Sequence, residues 1–153
     1  MSIQNPKVRA DFDDKYYSAP LSILLNAFVT LSNINDNLSL LKESEKVVKT
    51  YGKVLEQKPQ ECASFVTLAM RLQAGDITLK AKKDDLKKYH EKFWEIDYPF
   101  VLRKDHTYDI YIACKLGLCF ATGKSFTDIA TSISKAKDEI SSKPKKKALW
   151  GKE

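Results

Sequence analysis

Glycine and proline are scarce in this chain, with five of each in 153 residues. So few turn-formers exclude a turn-rich β sandwich and leave little room for a long flexible linker. Cysteine is scarce and odd in number, at Cys62, Cys114 and Cys119, which does not suggest a disulfide framework. The opening stretch 1–14 lacks an apolar core, so we expect no signal peptide or transit sequence. These two absences together predict a cytoplasmic protein whose three thiols are buried and reduced. Only two histidines occur, His90 and His106, without paired-ligand spacing. On a helix, Cys114 and Cys119 would sit about 140° apart. We therefore expect no metal site and no cofactor.

Catalytic signatures are missing as well. Gly123-Lys124-Ser125 resembles the end of a phosphate-binding loop, but Leu118 stands where its first glycine belongs. There is no Gly-x-Ser-x-Gly and no His-Glu-x-x-His. Asp84 and Asp85 are adjacent, so on a helix they diverge by about 100° and make a poor carboxylate pair. The expectation is a protein that is not an enzyme. Arginine is rare too: only Arg9, Arg71 and Arg103 among 26 basic residues. Base-edge readers favour the arginine fork, so a lysine bias suits contact with a phosphate backbone better than sequence readout.

What is present is a chain 43% hydrophobic and 30% charged, long enough to bury its own core. Its longest apolar stretch is Pro20–Leu31, interrupted only by Ser22, Asn26 and Thr30 at four-residue spacing. A helix apolar nearly all round must be buried on several sides. The run is shorter than the roughly 20 residues needed to span a bilayer. We therefore predict a central helix over 20–31 with other helices packed around it.

Further helices are predicted over about 37–57, 59–75, 78–96, 109–122 and 125–143. Pro59 opens the third and Gly75 closes it, while Ser125 with Asp128 caps the last. Residues 100–112 alternate enough to permit a short hairpin. The fold class expected is all-α: a single-domain bundle of about six helices. An N-terminal arm would occupy 1–17, the bundle 18–142 and a basic C-terminal tail 143–153. The stretch 123–130 is similar to the opening of a helix-turn-helix motif. Thr131-Ser132 leaves no turn there, so a plain capped helix is the reading.

The net charge of +6 is concentrated. Thr78–Phe93 carries six lysines against three acids, and Lys143–Glu153 five lysines against one. On the predicted fourth helix, Lys80, Lys83, Lys87, His90 and Trp94 share one flank. Such a lane suits successive phosphates with Trp94 stacking on a base, whereas Tyr89 and Phe93 fall on the packing face. In the tail, Lys143, Lys145, Lys146 and Lys147 precede Trp150, a mobile polycation with an aromatic anchor.

The resulting expectation is a non-enzymatic helical subunit of a homo- or hetero-oligomeric assembly. It contacts nucleic-acid backbone without sequence preference and has no membrane partner. The alternative is a protein-protein adaptor or assembly factor that docks on an acidic protein through its C-terminal tail.

Overall fold

The computed structural model describes residues 11, 13, 14, 16 and 18–142, with 138–142 described by their backbone alone. Four helices come first: α1 (Pro20–Ile34), α2 (Leu38–Thr50), α3 (Gly52–Gln57) and α4 (Ala63–Ala74). Strand β1 (Ile77–Ala81) follows, then α5 (Lys83–Lys88) and a 3-10 turn at Glu91–Glu95. Strands β2 (Val101–Asp105), β3 (Tyr111–Lys115) and β4 (Leu118–Gly123) lead into α6 (Phe126–Ser142).

The all-α bundle expected from the sequence is therefore overturned. The protein is mixed, with a four-stranded sheet in the order β2-β1-β3-β4. The predicted fourth helix is divided into β1, α5 and the 3-10 turn. The predicted fifth helix is a hairpin of β3 and β4. A hairpin near 100–112 is also ruled out, although strands do lie at both its ends: β1 runs between β2 and β3, parallel to the first and antiparallel to the second. Parallel neighbours require a crossover, and α5 with the 3-10 turn supplies it.

Local chemistry explains the β3–β4 hairpin. Its two-residue turn holds Leu116 at φ 51° and Gly117 at φ 78°. Positive φ at both central positions is the turn type whose twist matches paired strands. Beside the turn, Cys114 faces Cys119 and the two form a disulfide. The expectation of three reduced thiols, which rested on their odd number and the lack of an export signal, is overturned: on paired strands Cys114 and Cys119 face each other and bond, where on the expected helix they would diverge. Among the described residues Cys62 is the free cysteine, and burial pushes its thiol pKa up.

Two hydrophobic cores result. Leu25 and Val29 of α1 meet Leu41, Val48, Leu55, Phe65 and Leu68 among the first helices. On the sheet, Ile77, Leu79, Tyr111 and Ala113 pack against Phe126, Ile129 and Ile133 of α6. The cap on α6 is as expected: Ser125 Oγ accepts from the Asp128 N–H at 3.2 Å. Gly75, at φ 74°, ends α4.

A buried polar seam joins the cores. Arg71 donates through Nε to Asp76 Oδ1 at 2.9 Å and through Nη2 to Asp76 Oδ2. The same guanidinium reaches Asn26 Oδ1 at 3.0 Å and Thr30 Oγ1 at 2.9 Å. At the other end of α1, Ser22 Oγ donates to Ser64 Oγ, which donates to Asp14. The polar stripe Ser22, Asn26 and Thr30 thus faces α4. This corrects the expected central helix, because Ile23, Leu24, Ala27 and Leu31 of α1 are exposed instead. Among the described residues, no helix is long and apolar enough to cross a membrane.

Candidate binding groove

The predicted lysine lane does not form one helical flank. Lys80 lies on β1, on the sheet face opposite the α6-packed side chains of Leu79 and Ala81. Its Nζ is 3.5 Å from Asp36 Oδ2, and Lys104 Nζ approaches the same oxygen at 3.2 Å. Burial alone would raise the Asp36 carboxyl. The hydrogen bond from Lys104 and the charges of Lys80 and Lys104 outweigh it and hold the pKa below its ordinary value. Lys80 is thereby committed to the link between the α1–α2 turn and the sheet. Lys82, another lysine of the basic stretch, pairs with Asp109.

Lys83 and Lys87 lie on α5, both exposed, and among the described residues neither forms an ion pair. His90 precedes the 3-10 turn and Trp94 lies within it. The short turn tightens the chain to three residues per turn. That change separates Trp94 from the periodicity of α5. Phe93 goes inward and meets Phe126 edge-on, with centroids 5.3 Å apart, and Tyr89 stacks on Phe126 at 4.8 Å. The packing roles expected for Tyr89 and Phe93 hold. Trp94 goes outward and is 87% exposed.

His90, Phe93 and Trp94 form one wall of a groove of about 260 Å³. Tyr98 lines it too, as do Val101 and Arg103, which β2 brings there. The Arg103 guanidinium lies over the Phe93 ring, 5.2 Å from its centroid. A cation held against an aromatic face keeps its outer N–H groups for a ligand. The Tyr98 hydroxyl is not available in the same way, because it donates to the carbonyls of Ala74 at 2.9 Å and Gly75 at 2.7 Å. Burial, with the charge of Asp76 adding to it, pushes its pKa up to about 12.

The structure thus brings together His90 and Trp94, leaves Lys83 and Lys87 on the adjoining helix, which packs on β2, and removes Lys80. The tail residues Lys143, Lys145, Lys146, Lys147 and Trp150 lie outside the described residues. Sequence reasoning missed Arg103, which reaches the groove only because β2 pairs with β1. No local spacing signals that contact. Acidic neighbours are present too: Glu91, Glu95 and Asp97 are exposed on the same segment, with Asp97 paired to Lys137. The groove therefore combines an open indole, a stacked guanidinium and an imidazole in a field of mixed charge. Its polar and aromatic groups suit recognition of a planar, anionic group.

Comparison of the chain with protein-family models, with curated proteins and with solved structures gives no match.

Proposed function

We propose that the protein is a non-enzymatic binding subunit that contacts the backbone and unpaired bases of nucleic acid at the His90–Trp94–Arg103 groove. The observation that carries this reading is Trp94, a large aromatic left 87% exposed beside a guanidinium already oriented by Phe93. An unpaired base stacks on the indole, and Arg103 meets the adjoining phosphate. Lys83 and Lys87 supply further positive charge along α5.

Because Glu91 and Glu95 dilute the local field, stacking contributes more to affinity than charge does. Single strands are therefore preferred over duplexes, whose bases are already stacked. The adaptor alternative rests on segment 143–153, on which the described residues do not bear. A cytoplasmic setting, expected from the sequence, sits least easily with the Cys114–Cys119 bond, since that compartment keeps most thiols reduced.

Fluorescence anisotropy of labelled single-stranded and duplex oligonucleotides tests the proposal, with Trp94→Ala and Lys83→Glu/Lys87→Glu beside the wild type. Trp94→Ala should weaken single-strand binding by about 5- to 150-fold, the equivalent of about 1–3 kcal/mol for one stacked base. The salt dependence should be shallow, with a log–log slope of about −1.4 to −2.1 for two or three phosphate contacts on a single strand. Equal affinity of Trp94→Ala and wild type would remove the groove from consideration.

A further inference from the structure

The β3–β4 hairpin changes register part-way along. Tyr111 faces Gly123, Ile112 faces Thr122 and Ala113 faces Ala121, but Cys114 then faces Cys119 and Lys115 faces Leu118. Phe120 is thereby skipped, and two residues of β4 stand against one of β3, a β-bulge. Residues directly opposite on paired strands share a face of the sheet, whereas successive residues alternate. Had the first register continued, Phe120 would face Cys114 and Cys119 would face Lys115. The two cysteines would then lie on opposite faces, unable to bond. The bulge is what brings them together.

Local chemistry on either side of the bond does not favour this register. The bulge leaves Phe120 out of the ladder, and the two-residue turn holds Leu116 at φ 51°, where a branched side chain is disfavoured. The continued register pairs Phe120 and closes on three residues, Leu116–Leu118, which releases Leu116 from that conformation. Among the described residues β4 is an edge strand, and Leu118, Cys119 and Phe120 are exposed, so this end of it is free to shift. β3 is not, because Cys114 and Lys115 also pair with Thr78 and Ile77 of β1. The turn itself lies against the α1–α2 connection: a Cβ on Gly117 would sit 3.8 Å from Asp36 Oδ1, the carboxylate that Lys80 and Lys104 hold.

The two bonded residues also differ in access. Cys114 is 1% exposed, whereas Cys119 is open to solvent. We propose that Cys119 is a site of thiol–disulfide exchange with a dithiol reductant, and that reduction lets the end of β4 slip by one residue into the continued register. One thiolate of the reductant attacks Cys119 Sγ, the bond to Cys114 breaks, and Cys114 leaves as a thiolate that takes up a proton. The second thiolate of the reductant attacks its own sulfur in the mixed disulfide and expels Cys119, which is protonated in turn. Two electrons and two protons pass to the protein, and the reductant ends as its disulfide. The slip then turns Cys119 to the face away from Cys114, so the bond re-forms only after the short turn does. Cys62, fully buried in the helical core, takes no part.

NMR of the full chain, oxidised and after treatment with dithiothreitol, tests the slip. Cross-strand contacts between Cys114 and Cys119 should give way on reduction to Cys114–Phe120 and Lys115–Cys119 contacts. Cys114→Ser/Cys119→Ser should show the second set without reductant. A redox titration against dithiothreitol gives an independent reading. Leu116→Asn favours the two-residue turn and touches neither sulfur, so it should lower the equilibrium constant for reduction by about 5- to 30-fold. A turn that is the same in both redox states would leave that constant unchanged, which would overturn the slip. A reduced chain that keeps Cys114 opposite Cys119, or whose β4 end pairs in neither register, would overturn it as well. A bond that dithiothreitol reduces only when the protein unfolds would overturn the exchange at Cys119.

Discussion

Arg71 and Asp76 form a two-pronged ion pair between the helical core and the sheet core, with the Asp76 side chain fully buried. Neither charge has water to fall back on. Removing one partner leaves the other charged and dry, whereas replacing both with apolar side chains removes the problem along with the pair. Asp76→Ala should therefore destabilise the protein by about 3–5 kcal/mol, while Arg71→Met/Asp76→Leu should cost markedly less. Urea unfolding of the two variants and the wild type checks the order. A double variant no more stable than Asp76→Ala would mean that the seam's other links dominate, those of Arg71 to Asn26 and Thr30 and that of Asn33, whose Nδ2 donates to Asp76 Oδ2 at 3.3 Å.

Leu116 holds φ 51°, a conformation that a branched side chain adopts at a cost of about 1–2 kcal/mol. Asparagine tolerates it and gives the Asn-Gly pair favoured in this turn. Leu116→Asn should raise stability by about 0.5–1 kcal/mol, read as an upward shift in melting temperature.

Several helix ends were legible in the sequence, although the helix expected over 37–57 breaks at Tyr51 into α2 and α3, and Pro59 opens a 3-10 turn before α4. Pro20 in the first turn of α1, Gly75 ending α4 and the Ser125–Asp128 cap of α6 are local signals, and each stands where it was expected. Residues 77–123 were not legible, for physical reasons. Ile77, Leu79 and Ala81 alternate over only five residues, and Lys80, Lys83 and Lys87 continue a helical spacing across a break between strand and helix. Leu116-Gly117 is not a pair that announces a tight hairpin, although it forms one. The parallel partner of β1 lies beyond an intervening helix, out of reach of any window. For the groove, His90 and Trp94 came from one local segment and were found together. Arg103 arrives through strand pairing and was not.

Reducing the Cys114–Cys119 bond frees a short loop that the hairpin turn already closes. Loop-closure entropy for so few residues is about 2 kcal/mol, which bounds the loss. Thermal unfolding with and without a thiol reductant should show a drop no larger than this, and Cys114→Ser/Cys119→Ser should match the reduced wild type.

Stability should fall at both extremes of pH. Tyr98 and Tyr111 are pushed from 10.0 to about 12, chiefly by burial. Above pH 10 the unfolded chain releases these protons while the folded chain keeps them, so stability is full below pH 10 and declines up to about 12. Asp14 and Asp36 are held below 3.8: burial opposes this, but hydrogen bonds from Ser64 and Ala19, and from Lys104 with the nearby Lys80, prevail. Their contribution is present above 3.8 and is lost as pH falls through the lowered folded values. A urea midpoint measured from pH 2 to 12 should trace both limbs, and Tyr98→Phe should flatten the alkaline one.

The central position of β1 has a consequence for how the chain finds its fold. During synthesis β1 emerges before either neighbour, and neither edge of it is satisfied until β2 and β3 have followed. By contrast β3 and β4 meet across a two-residue turn as soon as they exist. Local closure is fast and long-range closure slow. The β3–β4 pairing is therefore the most local one in the sheet, while the two pairings of β1 close longer loops across α5 and β2. A nascent chain that ends at Ala81 leaves both edges of β1 unpaired, and one that ends at Asp105 still leaves the edge meant for β3 open, a stage at which an unpaired strand edge invites the wrong partner.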